Sequence, residues 1–237
     1  MQGITMKNKS ILAALVAAGL STSALAQDID VTVTNLTQGI YFTPILVGAH
    51  DAENSLFTTG MAAGPELQAM AEGGDISGLA GILASINADT VENPASGLLA
   101  PAMSTTTNLM TADGNTQLSI VAMMLPTNDG FIGLNSWTIP TEPGTYTINV
   151  NAYDAGTEAN NEVINGGGAS GVLGIPVAPG ADAGTGGTGV TTEETNMTVH
   201  IHRGNLGDDD LAGGKSDLDN TVHRWLNPVA RVTVTVK

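Results

Sequence analysis

Residues Asp28–Asn35 alternate without a break: Ile29, Val31 and Val33 on one side, Asp30, Thr32 and Thr34 on the other. Residues 229–236 repeat the pattern at the other end, with Ala230, Val232, Val234 and Val236 in register. A period of two places one set of side chains in a core and the other in water, which only a half-buried β-strand satisfies. Two such segments, some 200 residues apart, must find partners in one sheet system.

Between them the pattern predicts further strands at 40–48, 105–111, Gln117–Leu125 and 145–153. Pro44 interrupts the first of these, which implies an edge or a bulge. Gln117–Leu125 is apolar almost throughout and is expected to be central, whereas Tyr146, Ile148 and Val150 alternate inward. Met197, Val199 and Ile201 predict one face of a later strand. Residues 65–71 and 76–86 have helical spacing, with Leu67, Met70, Leu79, Ile82 and Leu83 as core candidates and Asp75 as an N-cap. Residues 166–189 are dominated by Gly, Ala and Pro and predict a flexible loop inserted in one domain. The expectation is an all-β, antiparallel β-sandwich with one or two short helices in the N-terminal third.

Composition narrows the function. Lys7 and Lys9, the apolar run 11–20 and Ala24-Leu25-Ala26 have the order of a cleaved secretory signal over 1–26, leaving 27–237 as the exported domain. The run is too short to span a bilayer, so no stable membrane insertion is expected. Secretion, or residence in a periplasm, follows. The chain has no cysteine and therefore no disulfide, although that compartment permits one. Only 3% of residues are aromatic, so aliphatic side chains must fill the core. After the signal no Lys or Arg occurs before Arg203, against a net charge of −16, which excludes nucleic acid and anionic lipid as partners.

Carboxylates in Gly-containing loops after strands are the most informative polar feature. Asp129 follows the strand ending at Leu125-Pro126, with Gly130 next to it; Asp154 follows the strand ending at Tyr153, with Gly156 and Glu158 beyond. The segments 126–133 and 153–158 are expected to be loops at one end of the sheet. Ca²⁺ takes six to eight oxygens, so converging carboxylates, with Asn128 and loop carbonyls, fit a hard-cation site. The alternative is that Asp and Gly are simply turn residues. His200 and His202, on one face of their strand, are a second candidate that suits Zn²⁺ or Cu²⁺ if His50 or His223 supplies a third nitrogen. The acidic loop with Asp208, Asp209, Asp210, Asp217 and Asp219 is a third. No G-x-S-x-G elbow, H-E-x-x-H helix, P-loop or cysteine nucleophile is present, and no catalytic role is expected.

Three motifs in order carry a family resemblance: Met124-Leu-Pro-Thr-Asn-Asp-Gly-Phe-Ile-Gly-Leu, Tyr153-Asp-Ala-Gly-Thr-Glu and Asn227-Pro-Val-Ala-Arg-Val-Thr-Val. Together they resemble the spondin N-terminal domain of animal extracellular-matrix and bacterial secreted proteins, over roughly 28–237. The resemblance implies a β-sandwich like the calcium-dependent lipid-binding domains, with Ca²⁺ held by three acidic side chains. These fall on Asp129, Asp154 and Glu158, and the implied role is adhesion or matrix association with an extracellular or cell-surface partner. Three departures stand out. Glu158 replaces an Asp of the animal form, Gly130 replaces an aromatic residue, and the animal cysteines are missing.

Overall fold

The computed structural model describes residues 26–180, 184–210 and 212–237, so the signal expected over 1–26 lies almost wholly outside the described residues. The strands are β1 (Asp28–Asn35), β2 (Tyr41–Phe42), β3 (Leu46–His50), β4 (Asp89–Glu92), β5 (Ser104–Met110), β6 (Gln117–Leu125), β7 (Gly130–Thr138), β8 (Gly144–Asp154), β9 (His200–Ile201) and β10 (Ala230–Val236). Two helices, α1 (Pro65–Gly73) and α2 (Ser77–Ser85), separate β3 from β4.

The main sheet runs β4-β3-β6-β7-β8-β10-β1-β5, with β2 beside β6 and β9 beside β8. Every neighbouring pair is antiparallel. The sheet curls until its outer strands nearly meet. Asp89 of β4 accepts from Asn115 just beyond β5 (2.9 Å), and Thr105 of β5 donates to the Pro94 carbonyl just beyond β4 (3.1 Å). This near-closed antiparallel sheet realises the all-β, sandwich-like expectation, short helices included.

The enclosed core takes the predicted inward residues Ile29, Val31 and Val33 from β1, Val150 from β8, and Ala230, Val232, Val234 and Val236 from β10; Tyr146 and Ile148 are only partly buried against it, and Ala152 joins it. β6 contributes Leu118, Ile120, Ala122 and Met124 to this core. Its opposite face, with Val121, Met123 and Leu125, packs beneath Leu67, Met70, Leu79 and Leu83 of the helices. Burial on both sides is why β6 reads as a continuous apolar run rather than an alternating one. Phe57, Phe131 and Tyr153 gather in this second layer with centroids 5.0–5.7 Å apart.

Five sequence expectations are corrected by the structure, which also adds the short strand β4. Segment 40–48 is two strands: Thr43 separates β2 from β3, and its Oγ1 accepts the Met123 N–H (3.1 Å) at the break. The second half of segment 126–133 is strand, since β7 begins at Gly130 and only 126–129 form the turn. Ile82 is exposed on the outer side of α2. Asp75 stands one residue before the N-cap position, Ile76, although its Oδ1 does accept the Ser77 N–H (2.9 Å). Of Met197, Val199 and Ile201 only Val199 is buried, because the chain is paired as a strand only at His200–Ile201.

Candidate functional site

The site lies where the inner face of the sheet runs out. Gly130 of β7 pairs with Asp154 of β8, which pairs with His200 of β9. One step inward Ile132 pairs with Ala152, whose carbonyl accepts the His202 N–H (3.1 Å). Alternate residues of a strand share a face, so Asp154 continues the apolar column Val150–Ala152 and ends it in a carboxylate.

Asp129 closes the β6–β7 turn. Thr127 holds that turn, its Oγ1 donating to the Met124 carbonyl (2.6 Å) and accepting the Gly130 N–H (3.0 Å). The Asp129 carboxylate reaches across to the segment after β8, where its Oδ2 accepts the N–H groups of Thr157 (2.8 Å) and Glu158 (3.3 Å). Asp154 Oδ1 accepts the Gly156 N–H (2.8 Å) and its Oδ2 accepts from Asn160 (2.7 Å). Gly156 adopts φ 68°, and a Cβ there would lie 2.6 Å from the Thr198 nitrogen, so only glycine lets this turn pass under the strand entering β9. Glu158 Oε2 accepts from Gly174 N–H (2.8 Å) and Asn128 Nδ2 (3.3 Å).

The three carboxylates predicted from sequence are therefore all buried at one end of the sheet: Asp129 is fully enclosed, Asp154 is 2% exposed and Glu158 8%. Burial, reinforced by the charge of Asp154, pushes the Asp129 carboxyl well above the usual carboxylate range, against the lowering effect of the Thr157 and Glu158 N–H groups. Burial likewise raises Glu158 to about 7, with the charges of Glu72 and Asp154 adding to it and the donors Gly174 and Asn128 opposing it. Without a counter-charge, ionising Asp129 or Glu158 is unfavourable.

Two atoms bear on whether a cation fits. Asp129 Oδ1 and Glu158 Oε1 are buried with no hydrogen-bond partner. Unpartnered buried acceptors are rare, and anionic oxygens without donors are the ligands a hard cation takes. The donor set fits Ca²⁺ in charge and atom type. Among the described residues no group of three His, Asp or Glu side chains already forms a ligand cage. Asn128 Oδ1 accepts the Glu162 N–H (3.1 Å), while its amide nitrogen faces Glu158 and Asn161.

The histidines divide. His200 Nδ1 donates to the Thr198 carbonyl (2.7 Å), which leaves a lone pair on Nε2, 3.8 Å from Asp154 Oδ2. His202 has the opposite tautomer: its Nδ1 accepts the Gly204 N–H (3.0 Å), so the neutral ring carries its proton on Nε2, which is buried and unpartnered. Burial pushes its pKa down to about 4, with the Asp154 charge acting against that shift. Neither proposed third nitrogen is at hand. His50 lies at the other end of β6, Nε2 2.8 Å from Ser119 Oγ, and His223 accepts the Asp219 N–H beside a different cavity. Both His200 and His202 border a cavity of about 340 Å³ with Asp154, Asn160, Glu194 and Arg203 in its wall.

The acidic loop is chiefly structural. Asp217 accepts the N–H groups of Ile164 (2.7 Å), Thr185 (2.9 Å) and Gly187 (2.7 Å), and Asp208 those of Lys215 and Ser216 (both 2.8 Å). Sequence reasoning missed Glu162, which is 4% exposed and accepts from Leu206 N–H (2.6 Å), Gly207 N–H (2.9 Å) and Ser216 Oγ (2.6 Å). It also missed Asn227, whose Oδ1 accepts the Ala152 N–H (2.6 Å) and whose amide donates to the His202 carbonyl (3.3 Å).

Comparison with curated proteins finds no match. A family model does match: Spondin_N, over residues 34–163, which is more than half of the chain and includes Asp129, Asp154 and Glu158. The chain belongs to the spondin N-terminal domain family.

Proposed function

We propose that the protein is an exported, non-catalytic module of spondin type, stabilised by one Ca²⁺ held by Asp129, Asp154 and Glu158, with a role in adhesion or matrix association at a cell surface. The observation that carries the calcium reading is the pair of buried, unpartnered carboxylate oxygens, Asp129 Oδ1 and Glu158 Oε1, at the same sheet end as Asp154. An extracellular setting supplies free Ca²⁺ and suits a weak site, with Kd roughly 10⁻⁴ to 10⁻³ M. Among the described residues no helix is long and apolar enough to cross a membrane, which accords with export.

The cation's part is mechanical. It replaces the mutual repulsion of three carboxylates by attraction and ties the β6–β7 turn to the segment after β8. The test is thermal melting with chelator and with roughly 10 mM Ca²⁺, where linkage at the Kd above gives about 1.4–2.7 kcal/mol of stabilisation. Asp154→Ala should abolish the difference. Coinciding curves for the unaltered protein would overturn the reading. A transition-metal centre on His200 and His202 is the second reading; His200 has the tautomer it needs, His202 does not. Stoichiometric Zn or Cu in protein purified without chelator would favour it.

A further inference from the structure

We propose that His202 is a positioning residue of the cation site: its buried Nε2–H is the hydrogen-bond donor that fixes Asp154 once the cation is in place. The inference rests on the calcium reading above. It starts from an accounting problem. The Gly204 N–H occupies Nδ1, so the proton of the neutral ring is on Nε2, where it has no acceptor. A buried donor left unmade is costly, and folds keep one chiefly where a second state satisfies it.

The ring cannot turn away to find an acceptor elsewhere. Trp225 packs against it with centroids 4.9 Å apart, and a Cβ on Gly130 would lie 3.1 Å from its Cδ2. The His202 backbone is held on both sides, its N–H by the Ala152 carbonyl and its own carbonyl by Asn227. Asp154 is the next residue beyond Ala152 on the same face of β8; it makes no bond to the His202 ring in this structure, where Gly156 and Asn160 hold its oxygens, and it has to turn toward Nε2 to accept from it. Each Asp154 oxygen already accepts one bond and has a second lone pair free. A carboxylate that binds a metal needs its remaining lone pairs held by donors, or its orientation drifts.

This arrangement gives the glycine at position 130 a reason. Without a side chain there, the His202 ring lies directly against the β7 backbone, beside Asp129. A donor nitrogen also cannot ligate, so His202 disfavours metals that seek imidazole and leaves the site to a cation that seeks oxygen.

His202→Phe keeps the ring and removes the donor; His202→Gln restores an N–H at similar reach. In calcium titrations His202→Phe should bind ten-fold or more weakly, and His202→Gln should recover most of that loss. ¹⁵N spectra of the imidazole should show Nε2 protonated and Nδ1 not, with the Nε2 signal moving on Ca²⁺ addition. Calcium binding by His202→Phe equal to that of the unaltered protein, or a proton found on Nδ1, overturns the proposal alone. An unaltered protein that takes up no Ca²⁺ overturns the calcium reading, and the proposal with it.

Discussion

Asp129 accepts the backbone N–H of Thr157 at 2.8 Å, joining the turn between β6 and β7 to the segment that leaves β8. One carboxylate oxygen thus makes a structural bond while the other is unpartnered. The same side chain serves the fold and offers itself to a ligand.

Asp129→Asn separates the two roles. The amide oxygen can still accept from Thr157 and Glu158, while the buried charge beside Asp154 disappears. Stability in chelator should rise by on the order of 1 kcal/mol at neutral pH. Calcium should no longer stabilise the variant. Urea unfolding with and without Ca²⁺ measures both.

Glu158 makes stability depend on pH. Its carboxyl goes from an ordinary value of 4.5 to about 7 on folding, so the folded state holds the proton more tightly. Its contribution is complete below about pH 4.5 and is lost as pH rises through 7, at a cost on the order of 3 kcal/mol when fully ionised. His202, lowered to about 4, has the opposite slope: its contribution is present above 6.5 and lost as pH falls through 4. The comparison that isolates Glu158 is therefore the unaltered protein against Glu158→Gln, in chelator, from pH 4 to 9. The variant should gain relative stability through that range, and Ca²⁺ should remove the loss in the unaltered protein.

Gly130→Ala should destabilise by about 1–3 kcal/mol, because a Cβ would lie 2.7 Å from Thr127 Oγ1 and 3.1 Å from His202 Cδ2. Thr127 cannot yield freely, since its hydroxyl holds the Met124 carbonyl and the Gly130 N–H. Denaturant unfolding gives the magnitude, and an unchanged midpoint would show that the turn is looser than its hydrogen bonds imply.

Asp217→Ala leaves the N–H groups of Ile164, Thr185 and Gly187 without their shared acceptor. The expected loss is about 2–3 kcal/mol, less where water reaches the freed groups. Amide exchange should quicken at these three positions while β1 and β10 keep their protection.

The strands that face water on one side were legible because alternation is itself the physical signature of that environment, as in β1 and β10. β7 was not, since Gly130 and Gly133 look like turn residues. Both are there for space: a Cβ on Gly133 would lie 2.6 Å from Phe57 Cζ, and one on Gly130 would lie 3.1 Å from His202 Cδ2. A single sequence does not distinguish a glycine that turns the chain from one that admits a neighbour's ring. β4 escaped notice because four half-exposed residues carry too little pattern. For the site, the loop carboxylates were legible as a class, and the three motifs in order, two of which contain them, carried the family resemblance. The tautomers of His200 and His202 were not, because each is set by a backbone group two residues away whose orientation only the folded chain defines.

Calorimetric titration of Ca²⁺ into metal-free protein tests the central claim most directly. One ion should bind per chain with a Kd of roughly 10⁻⁴ to 10⁻³ M. The heat should vanish in Asp154→Ala and in Glu158→Gln. No binding heat in the unaltered protein, or an unchanged isotherm in both variants, would contradict a calcium centre on Asp129, Asp154 and Glu158.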